Sequence, residues 1–196
     1  MKTSFLLLFT AILAASGCSK NPEAQASSQS TASQQSSVHG NTIANVSKVI
    51  SVQKNEGKKV PDFNWTGGNG AEVTFAEFSK DNVVLINFWA TWCGPCKREL
   101  PDLIALHSEY KDKNVKILGI SVDRDADVLG LVHNFAVEAN LSYPIVIDNG
   151  ELERAFGGIR GIPTSFFVSK SGEIVRKMIG MQSKETLQAA LTAAAR

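Results

Sequence analysis

Two cysteines separated by two residues are the part of this chain most suited to chemistry. Cys93 and Cys96 follow the apolar run Val83–Trp89 and precede a segment with helical periodicity. A thiol at the N-terminus of a helix meets free backbone N–H groups and the positive end of the helix dipole, which favour the thiolate. A second thiol three residues later lies on the same helical face, within reach of a disulfide. The pair therefore predicts a redox-active dithiol, with Cys93 as nucleophile and Cys96 as resolving thiol.

Other uses of a Cys-x-x-Cys pair are half of a zinc site and a structural disulfide. Zinc needs a second cysteine pair or histidines, and the three histidines of this chain have no ligand spacing. A structural disulfide that closes so short a loop constrains little chain entropy. The residues from Asp123 to Asp127 begin like a calcium loop, but Val128 and Asn134 stand where such a loop has Gly and Glu, so a polar loop with a helix N-cap is predicted. We expect no metal and no cofactor besides the dithiol.

The composition limits the kind of partner. Lys and Arg number 20 against 19 Asp and Glu, which leaves a formal net charge of +1. This balance gives no support for binding to nucleic acid or to an anionic membrane surface. The third cysteine, Cys18, lies near the N-terminus.

The N-terminal residues predict a targeting segment. Lys2 precedes the mostly apolar residues 5–14, a stretch too short to span a membrane in a mature protein. The small residues before Cys18 resemble the bacterial lipobox, which implies a signal peptide over residues 1–17 and a lipid on Cys18; an ordinary secretory signal is the alternative. The residue after this cysteine is Ser19 and not Asp, which resembles the pattern of lipoproteins that are sorted to the outer membrane. The expected location is the periplasmic side of a bacterial cell envelope, lipid-anchored, at the outer membrane in a Gram-negative cell.

Residues 18–58 are predicted to form a flexible, Ser/Gln-rich tether. Residues 19–38 are mostly Ser, Gln, Ala and Thr, a composition that cannot bury enough apolar surface to offset chain entropy. Residues 41–56 contain apolar positions that fit either a short helix or a strand. We place the folded domain at residues 59–196, a length sufficient for one hydrophobic core.

Hydrophobic periodicity in residues 59–196 predicts an α/β domain. An N-terminal β-hairpin precedes alternating strands and helices, and a second hairpin and a helix end the chain. The unbroken apolar run Val83–Trp89 is typical of a central strand buried on both faces. The alternation predicts a central mixed β-sheet flanked by helices.

The dithiol segment also carries a family resemblance. Residues 88–101, FWATWCGPCKRELP, resemble the active-site segment of thioredoxin-fold oxidoreductases of the TlpA/ResA-like branch. Residues 161–164 (Gly-Ile-Pro-Thr) resemble the cis-proline loop of that fold, and residues 60–63 (Val-Pro-Asp-Phe) resemble the entry strand of the branch. The similarity covers residues 60–196 and implies a thioredoxin-like fold with a central α/β insertion at residues 127–148.

The resemblance implies further site residues around the two thiols. Pro163 would form a cis peptide bond that turns the backbone of Ile162 toward an extended substrate. Trp92 would offer an apolar platform to an incoming polypeptide, or else only cover the start of the helix. Gly94 and Pro95 would tune the reduction potential, because Gly-Pro is the dipeptide of thioredoxin, whose potential is about −270 mV.

Two residues near the dithiol concern proton transfer. Asn87 stands where thioredoxin has a buried Asp that accepts a proton from the second thiol, and an amide cannot accept it. Glu99 matches the acidic residue that TlpA/ResA-like proteins carry near their dithiol. A carboxyl buried beside Cys96 would have a raised pKa and could exchange a proton during resolution. The alternative is a solvated carboxylate on the surface of the helix.

The resemblance implies an envelope enzyme that reduces protein disulfides through Cys93 and Cys96. Its expected partners are exported thiol proteins, such as apocytochrome c or copper-delivery proteins, and a membrane thiol reductant of the DsbD/CcdA type; we expect a monomer. One alternative is a peroxiredoxin-like thiol peroxidase, which needs a Pro/Thr-rich segment that is lacking before Cys93. The other is a non-enzymatic, redox-linked metal chaperone, for which no extra ligands are found near Cys93.

Overall fold

The structure, a computed structural model, describes residues 45–55 and 57–196. The predicted signal peptide, Cys18 and most of the predicted tether lie outside these residues. The described strands are β1 (Val46–Gln53), β2 (Asp62–Thr66), β3 (Glu72–Thr74), β4 (Val83–Trp89), β5 (Val115–Ser121), β6 (Ile145–Ile147), β7 (Thr164–Val168) and β8 (Ile174–Ile179). The described helices are α1 (Phe75–Ser79), α2 (Gly94–Tyr110), α3 (Val128–Glu138), α4 (Glu151–Ala155) and α5 (Lys184–Ala194).

The strands form one mixed sheet in the order β3-β2-β1-β6-β5-β4-β7-β8. Strands β1, β6, β5 and β4 run parallel to one another. The outer strands β7 and β8 on one side, and β2 and β3 on the other, pair antiparallel with their neighbours. This topology confirms the predicted thioredoxin-like α/β fold, with β2 and β3 as the N-terminal hairpin and α3 and β6 as the central α/β unit.

Strand β1 corrects the predicted domain boundary. A tether is predicted over residues 18–58, but β1 lies inside the sheet between β2 and β6. Val46 pairs with Ile145, and the buried Val49 pairs with Trp65. The folded unit therefore includes β1 and begins before residue 59. The apolar positions in this segment fit a helix as well as a strand. The extended form is selected by pairing with β6, which is remote in sequence.

Strand β4 divides the hydrophobic core into two layers. Alternate side chains of β4 pack on one face with α2, α3 and α5, and the others pack on the opposite face with α1 and α4. Both faces are covered, as the unbroken apolar run predicted. Asn87 lies between Leu85 and Trp89 on the α2 face, because side chains two residues apart in a strand share a face. A buried amide therefore stands in an otherwise apolar layer, facing the helix that carries the dithiol.

Helix α3 begins as the sequence predicted. The carboxylate of Asp127 caps it by accepting a hydrogen bond of 3.2 Å from the backbone N–H of Gly130. Within residues 45–55 and 57–196, no helix combines the length and the apolar character needed to cross a membrane.

Candidate active site

Cys93 and Cys96 form a disulfide where β4 gives way to α2. Their sulfur atoms are 2.03 Å apart and their Cα atoms 5.2 Å apart. Cys93 is the N-cap residue of α2, and its Sγ atom accepts a hydrogen bond of 3.2 Å from the backbone N–H of Cys96. Pro95 lies in the first turn, where a missing N–H group costs no intrahelical hydrogen bond. Gly94 is the first residue of α2, and a Cβ there would meet only the Arg98 side chain, at 3.8 Å.

The loop before β7 faces the disulfide. The peptide bond between Ile162 and Pro163 is cis, as the resemblance implied. The carbonyl oxygen of Ile162 lies 3.7 Å from the Sγ atom of Cys93. Pro163 is buried, and its carbonyl accepts a hydrogen bond of 2.8 Å from the backbone N–H of Gly180. The fold thus brings the predicted nucleophile and the predicted substrate-facing loop together, although 69 residues separate Cys93 from Ile162.

Trp92 is the exposed part of the site. Its side chain is 66% exposed, although the neighbouring Cys93 is 4% exposed. A large indole left in water beside a buried sulfur is available for contact with another molecule. An open groove of about 700 Å³ runs past the indole, with Leu100 of α2 and Phe135 of α3 among its walls.

Two exposed apolar residues near the cis-proline loop were missed in the sequence. Ile179, at the end of β8, pairs with Thr164 directly after Pro163, and Met181 follows two residues later. Both are about half exposed. The sequence did contain a signal for these two residues. Once the second hairpin is paired, apolar residues at the end of the edge strand β8 lie opposite the Ile-Pro-Thr motif.

Glu99 belongs to a buried polar network one helical turn after Cys96. Its side chain is 1% exposed, so the alternative of a solvated carboxylate is wrong. Oε1 accepts a hydrogen bond of 2.8 Å from the backbone N–H of Gln182, and Oε2 accepts one of 3.1 Å from Nδ2 of Asn87. The same Nδ2 donates to Oγ of Ser165 at 3.0 Å. Residues from β4 and from the segment before α5 therefore meet at this carboxylate of α2, and Ser165 of β7 joins the network through Asn87.

Burial raises the pKa of Glu99 above its usual value of 4.5, because the carboxylate loses its hydration. The hydrogen bonds from Gln182 and Asn87 favour the charged form and offset part of this rise, whereas the nearby charge of Asp102 adds to it. The negative charge of Glu99 also contributes, after burial, to a raised pKa of the enclosed Tyr143 phenol. Glu99 is therefore protonated more readily than a carboxyl in water.

The described part of the chain contains no group of three or more His, Cys, Asp or Glu side chains that could hold a metal ion. His107 lies against Tyr143 and has a hydrogen bond of 2.9 Å with Oγ of Ser142, so it takes part in packing. Burial, and secondarily the charge of Lys111, lower the pKa of His107.

A helix-capping dithiol opposite a cis-proline loop, on a sheet of thioredoxin topology, defines the class of thiol–disulfide oxidoreductases. Comparison with known proteins agrees. Residues 57–177 match the AhpC/TSA family. The chain is 36% identical over 132 residues to the thiol–disulfide oxidoreductase ResA of Bacillus thuringiensis, a match that covers 67% of this chain and 74% of that protein.

Two solved structures share the fold. A thiol:disulfide interchange protein of the thioredoxin family from Chlorobium tepidum superposes with a TM-score of 0.63 at 30% identity, over 71% of this chain and 97% of that one. The exposed lipoprotein thioredoxin of Streptococcus pneumoniae superposes with a TM-score of 0.57 at 26% identity, over 67% of this chain and 98% of that one. The chain therefore belongs to the AhpC/TSA family and to the ResA-like thiol–disulfide oxidoreductases of the thioredoxin superfamily.

Proposed function

We propose that the protein is a membrane-tethered, extracytoplasmic reductase of protein disulfides. The observation that carries this proposal is the position of the Cys93–Cys96 pair, with the Ile162 carbonyl oxygen 3.7 Å from the Cys93 sulfur. The reacting sulfur thus lies beside a backbone segment with which an extended polypeptide can form hydrogen bonds. The proposed substrates are exported proteins with disulfides, including apocytochrome c and proteins that deliver metals.

The proposed reaction transfers two electrons from the dithiol to the substrate. In the reduced enzyme, the Cys93 thiolate attacks one sulfur of a substrate disulfide; the substrate S–S bond breaks, a Cys93–substrate disulfide forms, and the other substrate sulfur leaves as a thiolate. Cys96 then loses its proton and attacks the Cys93 sulfur. This step restores the Cys93–Cys96 disulfide and releases the second substrate thiolate. Protonation of both thiolates completes the reduction of the substrate.

Glu99 is the proposed acceptor of the Cys96 proton. It lies one helical turn beyond Cys96, and burial raises its pKa toward the range in which a carboxylate both takes and returns a proton. Asn87 cannot take a proton itself. Its hydrogen bond to Oε2 of Glu99 instead holds the carboxylate inside the apolar layer.

The proposed direction of electron flow rests on the residues between the cysteines. Gly94 and Pro95 form the dipeptide of thioredoxin, which has a potential of about −270 mV, against about −120 mV for the oxidant DsbA. A couple near the first value donates electrons to disulfides in an oxidising envelope. Its own disulfide must then be reduced again, and a membrane thiol reductant of the DsbD/CcdA type is the proposed donor.

The proposed location rests on the N-terminal sequence. Residues 1–17 form the proposed signal peptide, and Cys18 is the proposed lipid attachment site. The name of the Streptococcus pneumoniae relative, an exposed lipoprotein thioredoxin, supports a lipid anchor. Residues 19–38 are part of the proposed tether, and a coil of that length would have a typical reach of about 25 Å, which would let the dithiol meet substrates near the membrane surface.

Reduction of insulin disulfides by the full-length protein, with dithiothreitol as electron source, tests the proposal. We expect the wild type to accelerate reduction, Cys93→Ser to be inactive, and Cys96→Ala to accumulate a covalent Cys93–substrate disulfide. Parallel assays of peroxide consumption and of metal binding address the peroxidase and the metal chaperone. A protein that consumes peroxide but leaves insulin oxidised would contradict the proposal.

A further inference from the structure

A buried carboxylate at the end of β5 holds the turn that carries the dithiol. Asp123 is 1% exposed and lies two residues after Ser121, the last residue of β5. Its Oδ1 atom accepts a hydrogen bond of 2.7 Å from Oγ1 of Thr91, and its Oδ2 atom accepts one of 3.1 Å from the backbone N–H of Thr91. Oγ of Ser121 donates a third bond of 2.8 Å to Oδ2. Hydrogen bonds to an ionised carboxylate are stronger than those between neutral groups, so Thr91 is firmly held.

Thr91 stands inside the turn that leads from β4 to the dithiol. The backbone N–H of Cys93 donates a hydrogen bond of 3.1 Å to the carbonyl oxygen of Ala90, which closes the turn around Thr91 and Trp92. Within the described residues, no hydrogen bond holds the Trp92 side chain. The position from which the exposed indole projects is set by the backbone of this turn, and Asp123 is the side chain that anchors the turn to the neighbouring strand.

The connection that carries Asp123 has a second anchor. Nη1 of Arg124 donates hydrogen bonds to the carbonyl oxygens of Asp148, at 2.7 Å, and of Asp123, at 3.0 Å. Nη2 of Arg124 forms ion pairs with the carboxylates of Asp148, at 3.3 Å, and of Glu153. Removing the charge of Asp123 leaves these contacts in place. The expected consequence is a looser Thr91–Trp92 turn on an otherwise intact sheet.

We propose that Asp123 is a positioning residue for polypeptide substrates: it holds the turn through Thr91 and so fixes the backbone position from which the Trp92 indole projects beside Cys93. Asp123 does not touch the reacting sulfur atoms. When the turn is loose, a polypeptide that packs on the indole must order the turn as it binds. The entropy lost in this ordering lowers the affinity for the polypeptide. A small disulfide that meets only the Cys93 sulfur does not need the indole. The inference rests on the proposed function, since it takes polypeptide disulfides as substrates.

The test compares two substrates in variants of the full-length protein. For Asp123→Asn, we expect kcat/KM for insulin reduction to fall about tenfold, mainly through KM, which corresponds to about 1.4 kcal/mol. The rate with a small aromatic disulfide should stay within about twofold, because the expected loss is in polypeptide binding. Thr91→Val removes only the hydroxyl donor and should show the same selectivity with a smaller loss. Asp125→Asn is the matched control, since Asp125 is exposed in the same connection.

A double-mutant cycle separates positioning of Trp92 from a general effect on the fold. In a Trp92→Ala background, Asp123→Asn should cause no further loss with insulin, because the indole that it positions is gone. The inference is overturned if Asp123→Asn and Thr91→Val slow both substrates equally, if they slow neither, or if the loss persists without Trp92. If the wild type itself leaves insulin oxidised, the proposed function fails and the inference fails with it; normal wild-type reduction with unchanged variants overturns the inference alone.

Discussion

Nδ2 of Asn87 donates a hydrogen bond of 3.1 Å to Oε2 of Glu99, and both side chains are buried. Asn87 comes from the central strand and Glu99 from the helix that begins at the dithiol. The strand residue can only stabilise charge here, whereas the helix residue can gain and lose a proton. Proton transfer in this protein is therefore expected to use a carboxyl on the helix, not one on the strand as in thioredoxin.

Replacement of Glu99 by glutamine tests this division of roles. Glu99→Gln keeps the size of the side chain but removes its exchangeable proton. We expect attack of Cys96 on the mixed disulfide to slow at least about tenfold, because a positioned acid–base group contributes about 10²- to 10⁴-fold. The rate is measured by forming the mixed disulfide, quenching at short times and counting the covalent species by mass spectrometry.

Glu109→Gln is the matched control for this experiment. Glu109 lies on the same helix, is exposed, and forms a surface ion pair with Lys184. Surface ion pairs contribute little to stability, so this variant should resolve the mixed disulfide at the wild-type rate. Equal rates for Glu99→Gln and Glu109→Gln would remove Glu99 from the mechanism.

The raised pKa of Glu99 also predicts a pH-dependent stability. The folded protein binds this proton more tightly than the unfolded chain does, so the contribution of the protonated carboxyl is fully present below pH 4.5 and is lost as pH rises through the higher native pKa. Glu99→Gln does not titrate. In the oxidised protein, its free energy of unfolding minus that of the wild type should therefore increase between about pH 4 and pH 8. Denaturant titrations at both pH values measure this difference, and a constant or falling difference would contradict the assignment.

The exposed indole of Trp92 is expected to bind polypeptide substrates. Trp92→Ala should raise KM for insulin about tenfold, because truncation of an aromatic contact residue costs more than about 1 kcal/mol. Its effect on a small disulfide should be slight. Val175→Ala is a suitable control, since Val175 is similarly exposed. It lies near the start of β8, whereas Pro163 is close to the other end of that strand. Steady-state kinetics with insulin and with the small disulfide measure these effects. Equal losses of kcat/KM for both substrates would leave the indole with only a structural role.

The proposed lipid anchor gives a separate prediction. Cys18→Ser should move the protein from the membrane to the soluble fraction of a bacterial envelope, because a serine cannot carry the thioether-linked lipid. The dithiol activity per molecule should not change, since the proposed reaction uses Cys93 and Cys96. Cell fractionation with immunodetection measures the shift, and a variant that stays with the membrane would point to another mode of attachment.

Local sequence patterns were sufficient for most of the fold but not for β1. Strand β4 was evident as an unbroken apolar run, and the helix after Cys96 was evident from its periodicity. The segment Val46–Gln53 has a pattern that a helix or a strand could satisfy, and its place in the sheet depends on β6, with Val46 paired to Ile145. Pairing between remote segments leaves no local signal, so the domain was predicted to start at residue 59.

The same limit applies to the site. The cysteines, the cis-proline motif and Glu99 were visible because their local sequences resemble those of known relatives. The backbone partner of Glu99 at Gln182 lies 83 residues further along the chain, and Asp123 lies 32 residues from Thr91. The second contact had a usable signal, because β4 and β5 are parallel neighbours whose carboxyl ends meet at one edge of the sheet. Asp123 is therefore more than the ordinary loop residue that its local sequence predicts.

The reduction potential of the Cys93–Cys96 couple tests the central claim most directly. Equilibration of the protein with glutathione or dithiothreitol buffers, followed by alkylation and mass spectrometry, gives the value. The Gly94–Pro95 dipeptide predicts a potential of about −270 mV, at which the dithiol reduces the disulfides of exported proteins. A value of about −120 mV, the potential of DsbA, would contradict the account and make the protein an oxidant.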